Sequence, residues 1–458
     1  MKRLLVISVV LALSGCAMVG PDYERPGTPL PTQFDAQAAK ASEAAVAADW
    51  WKVYDDETLN ELILAAFANN ADLQGATARV EEADAVLRQA HSALIPLVNG
   101  QAGAARGRVL GNTPPVGNAF TVGVSASYEI DVWGRLRRGE RAARANLLAS
   151  QYGRDTVQIT LAATVTRTYF GVRALDAQQR ASQEIVDAAT ESLDLATQRA
   201  DAGLVSALDI YQAGSLRSTA SAQLKEVARL RAALEHQLGV LTGRLDVKVA
   251  TGRLVTLPIP PQPPAGLPSQ LLERRPDVRA AEQNLVSATE LIGVARASQF
   301  PTLDLTAALG VANPQISNLF TTGSQFWSVG ASLVGPIIDG GRYAARTDQA
   351  AAQARQAEAA YRKSVQEAFR DTADALSNVQ LAQETEVELQ HLVEQAREAL
   401  KLSRQRYESG YSAYLEVLDA QRTLNDSQIA LIRNRQALLS FTVDLMVALG
   451  GGWDPSKA

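Results

Sequence analysis

The 458-residue chain carries 44 lysines and arginines against 49 aspartates and glutamates, which gives a formal net charge of −5. It contains no basic cluster with interleaved aromatic residues, so the sequence excludes a nucleic-acid partner. Aromatic residues make up only 5% of the chain while alanine is abundant, a composition typical of closely packed helices. The length suffices for two or three domains, but the internal repeat described below favours one elongated body.

The start of the chain predicts a cleaved lipoprotein signal. A basic start, Met1–Arg3, precedes a largely apolar run, Leu4–Leu13, which is too short to span a bilayer. The following Leu-Ser-Gly-Cys resembles a bacterial lipobox, so we expect a signal peptide over residues 1–15 and a lipid on Cys16. Ala17 stands where aspartate retains such lipoproteins at the inner membrane in enteric bacteria, which favours the outer membrane, facing the periplasm. The alternative is an ordinary secretory signal with a chance cysteine.

Residues 16–57 are predicted to hold the lipid anchor and an extended leash. Val19–Pro31 carries four prolines, which favour an extended chain. A helix is then predicted over Thr58–Ala93, because leucine, isoleucine and alanine residues recur on one helical face. Pro96 ends this pattern.

The next segment, residues 97–131, predicts a β-hairpin. Phe120–Ile130 alternates apolar residues with polar or very small ones at period two. Its partner, roughly Leu97–Val109, is weaker because it is rich in glycine and alanine. The turn between the two strands is expected at Gly111–Pro115.

The longest predicted element of this half is a helix over residues 135–202, which contains no proline. As one helix it would be about 100 Å long. Apolar residues inside it follow the spacing of a coiled-coil seam; they are Ile185, Ala189, Leu193, Ala196 and Ala200. Gly203 breaks the helix, a return helix is expected over residues 208–241, and a proline-rich linker follows over residues 244–275.

Residues 276–450 repeat the design of residues 58–243. The offset is 205 positions before the second hairpin and 207 after it, where Gly410 matches Gly203. A constant offset through helix, break and helix indicates a tandem duplication. The second repeat and tail are predicted as a helix, a hairpin over 302–338, a long helix over 342–409, a return helix over 415–449 and a tail over 451–458. The seam recurs in the same register at Leu392, Ala396, Leu400, Ser403 and Tyr407.

The four predicted strands carry the strongest physical constraint. Unpaired strand edges are too costly inside a lipid bilayer, so spanning strands must close into a barrel. Four strands cannot close, because the smallest natural barrels use about eight. The chain must then oligomerise, and three copies would supply twelve strands. The alternative, a soluble helical protein with two surface hairpins, would expose the apolar faces around Phe120 and Phe326.

Several short motifs, in order along the chain, resemble the TolC-like outer-membrane efflux channels, specifically the lipoprotein NodT/OprM type. They are Cys16 with Val19–Pro26, Tyr128–Arg135, Arg274–Val278, Gly335–Arg342, Leu418–Arg422 and Ala448–Trp453. The resemblance covers nearly the whole mature chain. It implies an α+β membrane protein, a homotrimer with a twelve-stranded outer-membrane β-barrel that is continued by a twelve-helix periplasmic tunnel. It also implies an equatorial domain, built from both termini and the proline-rich middle.

The same resemblance implies the partners and the function. The partners are a periplasmic adaptor, an inner-membrane transporter of the resistance–nodulation–division class, and outer-membrane lipid. We expect a passive, gated exit duct of a tripartite efflux pump that exports drugs or other small toxic compounds. Two alternatives stay open, namely an exit duct for type I protein secretion and a non-channel structural lipoprotein that spans the periplasm.

The two helical breaks are the predicted adaptor-docking tips. Glycine permits the backbone to turn back at each break, and in the family such tips form the periplasmic mouth. The tip residues are Gly203, Leu204, Val205 and Ser206 in the first repeat, and Gly410, Tyr411, Ser412 and Ala413 in the second. A plain turn between two helices is the alternative.

Leu415 and Asp419 lie four residues apart, which places them on one helix face. In the similar channels the matching residues form apolar and acidic rings that close the mouth. A three-fold axis would bring three Asp419 carboxylates together, since Gln212 occupies the matching position of the first repeat. The other predicted gate residues, which would hold the closed state through hydrogen bonds, are Arg199, Arg406 and Tyr407. The alternatives are a solvated surface carboxylate and exposed helix arginines.

We predict no enzyme activity, no cofactor and no metal site. The three histidines, His91, His236 and His391, are isolated in the sequence, and the chain has a single cysteine. It contains no metalloprotease motif, phosphate-binding glycine loop or nucleophile elbow. The energy for transport must therefore come from a partner.

Overall fold

The computed structural model describes residues 18–27, 29, 31, 46–108, 116–261 and 271–453. Cys16, the predicted lipid-anchor residue, and 111–115, the predicted hairpin turn, lie outside these residues. The helices are α1 (Glu57–Asn69), α2 (Ala71–Ser92), α3 (Arg135–Asp201), α4 (Ala207–Thr242), α5 (Leu271–Arg274), α6 (Pro276–Ala297), α7 (Arg342–Glu408) and α8 (Tyr414–Ala448). The strands are β1 (Leu97–Arg108), β2 (Val116–Ile130), β3 (Thr302–Asn313) and β4 (Gln325–Val334).

The prediction of one helix over residues 58–93 is wrong, because α1 and α2 are separated at Asn70. Asn70 has an extended backbone with ψ of 128°. Its Oδ1 accepts hydrogen bonds from the amides of Asp72 and Leu73 at 3.0 and 3.1 Å. Its Nδ2 donates to the carbonyl of Leu241. Asn70 therefore caps α2, and apolar periodicity alone does not reveal such a capped break.

The two predicted hairpins join into one antiparallel sheet with the strand order β1-β2-β3-β4. The contact between the hairpins is the β2–β3 pair, in which Phe120 lies opposite Asn313 and Ile130 lies opposite Leu303. Within the residues that the structure describes, β1 and β4 each pair with a single neighbouring strand. The sheet therefore has two open edges, one contributed by each repeat.

The strand register collects apolar side chains on one face of this sheet. Paired residues share a face, so the pairs Val124–Leu309 and Leu309–Trp327 connect three strands in one apolar surface. Further residues of this face are Val98, Ala102, Phe120, Val122, Leu303, Leu305, Val329 and Leu333. The opposite face carries mostly small and polar side chains, among them Gln101, Ser125, Thr306 and Ser328. The prediction of an apolar face around Phe326 is wrong, because Phe326 pairs with Gly310 and so lies on this opposite face.

The long helices α3 and α7 occupy almost the ranges expected for them, each ending one residue earlier. Seam residues that the structure buries are Ile185, Ala189, Ala196, Ala396, Ser403 and Tyr407. The prediction for Leu392 is wrong, because its side chain is 45% exposed and Val393 is buried instead. The buried stripe passes instead through Val393 and Ala396, which lie three positions apart.

The return helices α4 and α8 each begin one residue before the predicted start. Among the residues described here, none of the helices is both long and apolar enough to cross a membrane.

The chain folds as two compact units. Unit 1 comprises residues 1–28, 78–151 and 279–363, and contains the sheet; unit 2 comprises residues 29–77, 152–278 and 364–458. Both units take segments from both repeats. The duplication visible in the sequence therefore does not correspond to two separate compact bodies.

In unit 1, the described part of the predicted leash is fixed by Arg138, which is fully buried. The Arg138 guanidinium donates to the carbonyls of Gly20 and Pro21, and it pairs with Asp22 at 3.0 Å and with Glu290 at 2.8 Å. Buried charged hydrogen bonds of this kind hold a segment firmly, because losing one partner strands a charge in the interior. Residues 18–27 therefore form no helix or strand, and the contacts with Arg138 hold this segment in place.

In unit 2, α1, α3 and α4 share a core that includes Trp50, Tyr54, Phe170 and Leu238. The chain after α4 is fixed by buried charges. Asp176 accepts hydrogen bonds from the amide of Gly252 at 2.9 Å and from Arg231 at 2.7 Å. This start of the predicted proline-rich linker is consequently part of the core of unit 2.

Candidate functional site at the helical turns

The two turns that join the long and return helices have the same backbone, and both lie in unit 2. Gly203 and Gly410 have φ of +73° and +80°, a left-handed conformation that glycine adopts without strain. The amide of Leu204 donates to the carbonyl of Arg199, and the amide of Tyr411 donates to that of Arg406. The amide of each glycine also donates to the carbonyl of the residue three positions before it. Together these hydrogen bonds form two Schellman motifs.

The return helices begin differently after these turns. The side chain of Ser206 accepts a hydrogen bond from the amide of Leu208 at 3.1 Å and so caps α4. Ala413 occupies the matching position before α8 and makes no side-chain cap. The second turn therefore leaves an amide uncapped that the first turn satisfies.

Arg199 connects the first turn to the second. Its guanidinium donates to the carbonyl of Tyr407 at 2.8 Å and to the carbonyl of Glu408. Its Cζ also lies 4.8 Å from the centre of the Tyr407 ring. These contacts satisfy carbonyls at the C-terminal end of α7, where the helix dipole favours a cation.

Arg406, the equivalent of Arg199, behaves differently. It pairs with Glu416 at 3.3 Å, and both side chains are about half exposed. This ion pair lies within the second turn and does not reach the first. Exposed pairs of this kind contribute little to stability. Arg406 is therefore expected to stabilise its turn less than Arg199 does.

Tyr407 packs in a small cluster that the sequence analysis identified only in part. Its ring meets that of Tyr414 edge-on, with centroids 5.4 Å apart, and both rings are buried. Burial raises the pKa of both hydroxyls above the ordinary tyrosine value. Tyr407 lies near the end of α7 and Tyr414 begins α8, so the turn between the two helices brings the rings together, and no periodicity in the sequence could have identified Tyr414. The rest of the cluster is Ala196, Ala213, Val417 and Leu418.

Leu415 and Asp419 project from the exposed side of α8. The Leu415 side chain is 58% exposed, and Asp419 is also exposed. The contacts of the chain thus leave an apolar side chain and a carboxylate uncovered, one helical turn apart. Arg199 and Tyr407, in contrast, join the two turns to each other.

The predicted docking tips are largely exposed. Leu204 and Tyr411, which follow the two glycines, present most of their side chains to solvent, whereas Val205 and Ser412 are half-buried. A Cβ added to Gly203 or Gly410 would meet no atom within 4 Å. The glycines are therefore required by the backbone angle and not by close packing.

The described residues include no group of three or more histidine, cysteine, aspartate or glutamate side chains that could hold a metal ion.

The sequence profile of the outer membrane efflux protein family matches residues 62–244 and 267–451. These two segments cover most of the chain and correspond to its two repeats. The chain therefore belongs to the outer membrane efflux protein family. The members of this family are channels and not enzymes.

Among its relatives, the pyoverdine export outer membrane protein OpmQ of Pseudomonas aeruginosa is 35% identical over 472 residues, covering 100% of this chain and 98% of the relative. The toluene efflux pump outer membrane protein TtgI of Pseudomonas putida is 34% identical, with 98% of each chain covered. A solved structure of the open state of the Neisseria gonorrhoeae MtrE outer membrane channel superposes with a TM-score of 0.86 at 30% identity, covering 95% of this chain and 98% of that one.

Proposed function

We propose that three copies of this chain form a passive, gated exit duct of a tripartite efflux pump in the outer membrane. One observation carries the proposal: the register places most large apolar side chains of the four strands on one face, and mainly small and polar side chains on the other. This is the pattern of a sheet with lipid on one side and an aqueous lumen on the other. Strands of 10 to 15 residues also match a tilted crossing of the bilayer, which needs about ten.

The open edges of the sheet support oligomerisation. An edge left unpaired in the hydrocarbon exposes backbone amides and carbonyls that water cannot reach. If β4 of one copy pairs with β1 of the next, three copies close twelve strands with no edge left. Each copy would contribute four helices to a common wall, so the barrel would continue as a twelve-helix tunnel.

The repeat supports a particular contact between copies. Within one chain, the Trp133 ring stacks on Phe300 at 4.5 Å and its Nε1 donates to the carbonyl of Pro301. This contact joins the end of β2 to the start of β3. At the end of β4 the chain instead presents Ile337 and Ile338, which are 97% and 93% exposed.

An offset of 205 positions matches Phe300 and Pro301 to Ile95 and Pro96, just before β1. Ile95 is more than half exposed. We infer that the Ile337–Ile338 segment of one copy covers Ile95 and Pro96 of the next, as Trp133 covers their counterparts within the chain. Burying these isoleucines would contribute about 1.5–3 kcal/mol each.

The exposed side of α8 supports the gate assignment. On a three-fold axis, Leu415 and Asp419 would form an apolar and an acidic ring, and three nearby carboxylates would attract cations. Arg199, Arg406 and Tyr407 would hold the turns in the closed state. Opening then requires the second turn to separate from the first, which breaks the bonds of Arg199.

The exposed helical turns and the membership in the family together indicate the partners. The exposed residues of the two turns would meet a periplasmic adaptor, and an inner-membrane resistance–nodulation–division transporter would supply energy and substrate. A lipid on Cys16 would anchor the duct to the outer membrane. Relatives named for pyoverdine, toluene and cation efflux indicate small molecules as cargo.

The test is single-channel conductance of the acylated full-length protein in a planar bilayer. Wild-type protein is expected to give small, mostly closed currents, and Asp419→Ala longer or larger openings. The matched control is Gln212→Ala, the same position of the first repeat, which should behave as wild type. Equal, readily observed currents from all three proteins would keep the channel and refute the gate. Absence of conductance from all three, in protein that is monomeric, would refute the duct.

A further inference from the structure

Unit 2 contains a cavity of about 250 Å³, partly open to solvent, that the proposed duct does not use. Four aromatic side chains line it, those of Trp50, Trp51, Phe67 and Trp453. Ala162 also lines it, and the two neighbouring tryptophans and Ala162 are all buried. The cavity is thus a partly open, mainly apolar space of the kind that binds small ligands.

The glycines at the end of the chain shape one side of this cavity. Gly451 and Gly452 have φ of +57° and +73°. A Cβ on Gly451 would lie 2.6 Å from Cγ2 of Ile159, and one on Gly452 would lie 2.0 Å from the carbonyl oxygen of Ala47. Side chains at these positions would therefore displace the wall, so its shape depends on glycine at both.

Three polar side chains border the cavity, those of Arg154, Asp155 and Gln158. The buried carboxylate of Asp155 accepts two hydrogen bonds from Arg154 on Oδ1, at 2.9 and 2.6 Å, and one from Nε1 of Trp453 on Oδ2, at 2.9 Å. A carboxylate has about four acceptor positions. Oδ2 accordingly keeps capacity for a further donor beside the aromatic wall.

We propose that this cavity binds a single-ring aromatic molecule that carries one hydrogen-bond donor, such as a phenol. The ring would lie against Trp51 and Phe67, since aromatic rings pack well edge-on or offset, and its hydroxyl would donate to Asp155. An apolar cavity of about 150 Å³ in another protein holds benzene, so the volume here accommodates a substituted ring. The inference does not depend on the proposed duct.

The probe is 4-fluorophenol, observed by fluorine NMR against full-length protein purified in detergent. Ala162→Met should fill the cavity and weaken binding by at least about tenfold, a difference well within what a lost cavity contact causes. Ala174→Met is the matched control, because Ala174 is equally buried on α3 and does not line the cavity. The control also cancels partition of the probe into micelles.

A second variant keeps the test decisive if Ala162→Met does not fold. Phe67→Ala enlarges the cavity and should shift preference from 4-fluorophenol towards the two-ring 2-naphthol. Saturable binding to wild type and Ala174→Met, lost in Ala162→Met and altered in Phe67→Ala, would support the site. Identical probe signals from all four proteins would overturn it.

Discussion

The two repeats share a backbone design and differ in the side chains that cover it. At the end of its hairpin, the first repeat places Trp133 on Phe300 of the same chain, whereas the second ends in Ile337 and Ile338, which no described residue covers. Both keep a left-handed glycine at the helical turn. Duplication has thus preserved the positions that the backbone requires, and it has changed those that face different neighbours.

The turns show the same divergence. The second carries buried tyrosines at 407 and 414, where the first has Ala200 and Ala207. The first has a serine cap, and the second has alanine. Beyond the backbone bonds that both turns share, aromatic packing and the bonds from Arg199 therefore stabilise the second turn, while a side-chain cap stabilises the first. Each of the following experiments alters one side of this comparison.

The largest effect is expected at the hairpin ends. Trp133→Ala removes the stack on Phe300 and the hydrogen bond to Pro301, so the free energy of unfolding should fall by about 3 kcal/mol, as for other truncations of large aromatic residues. Ile338→Ala should leave the fold intact and reduce the trimer fraction. Chemical unfolding followed by circular dichroism, with native mass spectrometry, separates the two effects. An equal loss of stability in both variants would contradict the proposed contact between copies.

A smaller effect is expected from the two equivalent arginines. Arg199→Met frees two carbonyls of α7 from charged hydrogen bonds, which should destabilise the second turn locally by about 2 kcal/mol. Arg406→Met removes an exposed ion pair and should cost well under about 1 kcal/mol. Hydrogen exchange of the amides in residues 403–411 measures both. Similar exchange rates in the two variants would show that the bridge from Arg199 does not hold the turn.

The helix caps should give effects of opposite sign. Ser206→Ala removes the cap of α4 and should cost about 1 kcal/mol, while Ala413→Ser supplies one for α8 and should gain a similar amount. Hydrogen exchange in the first turn of each return helix is the measurement. If Ala413→Ser leaves exchange unchanged, the geometry at the second turn does not accept a cap.

The smallest effect appears only at alkaline pH. Because the pKa of Tyr407 and of Tyr414 is raised in the fold, their contribution is complete below the ordinary pKa of about 10 and is lost as the pH rises through the folded values. Subtilisin should cut the second turn faster at pH 10.5 than at pH 8. The first turn, and the second turn in the Tyr407→Phe/Tyr414→Phe variant, should respond less. An equal rise in the cleavage rate at both turns would indicate that alkaline pH loosens the protein as a whole.

Elements governed by local rules were predictable from the sequence. Long apolar periodicity indicated α3 and α7, and Gly203 and Gly410 marked their ends, because both signals act through residues a few positions apart. The alternation in Phe120–Ile130 indicated a strand for the same reason. The structure places each of these elements within a few residues of its prediction.

Features that depend on distant partners were not predictable. The pairing of β2 with β3 joins residues almost 200 positions apart, and the capping of α2 by Asn70 is supported by its contact with Leu241. The same holds at the candidate gate. The residue types of Arg199 and Tyr407 suggested hydrogen bonds, but only the fold shows that Arg199 reaches the carbonyls at the end of the other long helix.

The buried Arg138 has a consequence for how the protein would sit in a membrane. It fixes the segment that begins at Met18, and Met18 packs beside Gly134, between the end of β2 and the start of α3. Only two positions separate Met18 from Cys16. A fatty acyl chain on Cys16 would therefore be held at a nearly fixed distance from the sheet. It would set the height of the sheet in the bilayer, measured from the inner leaflet.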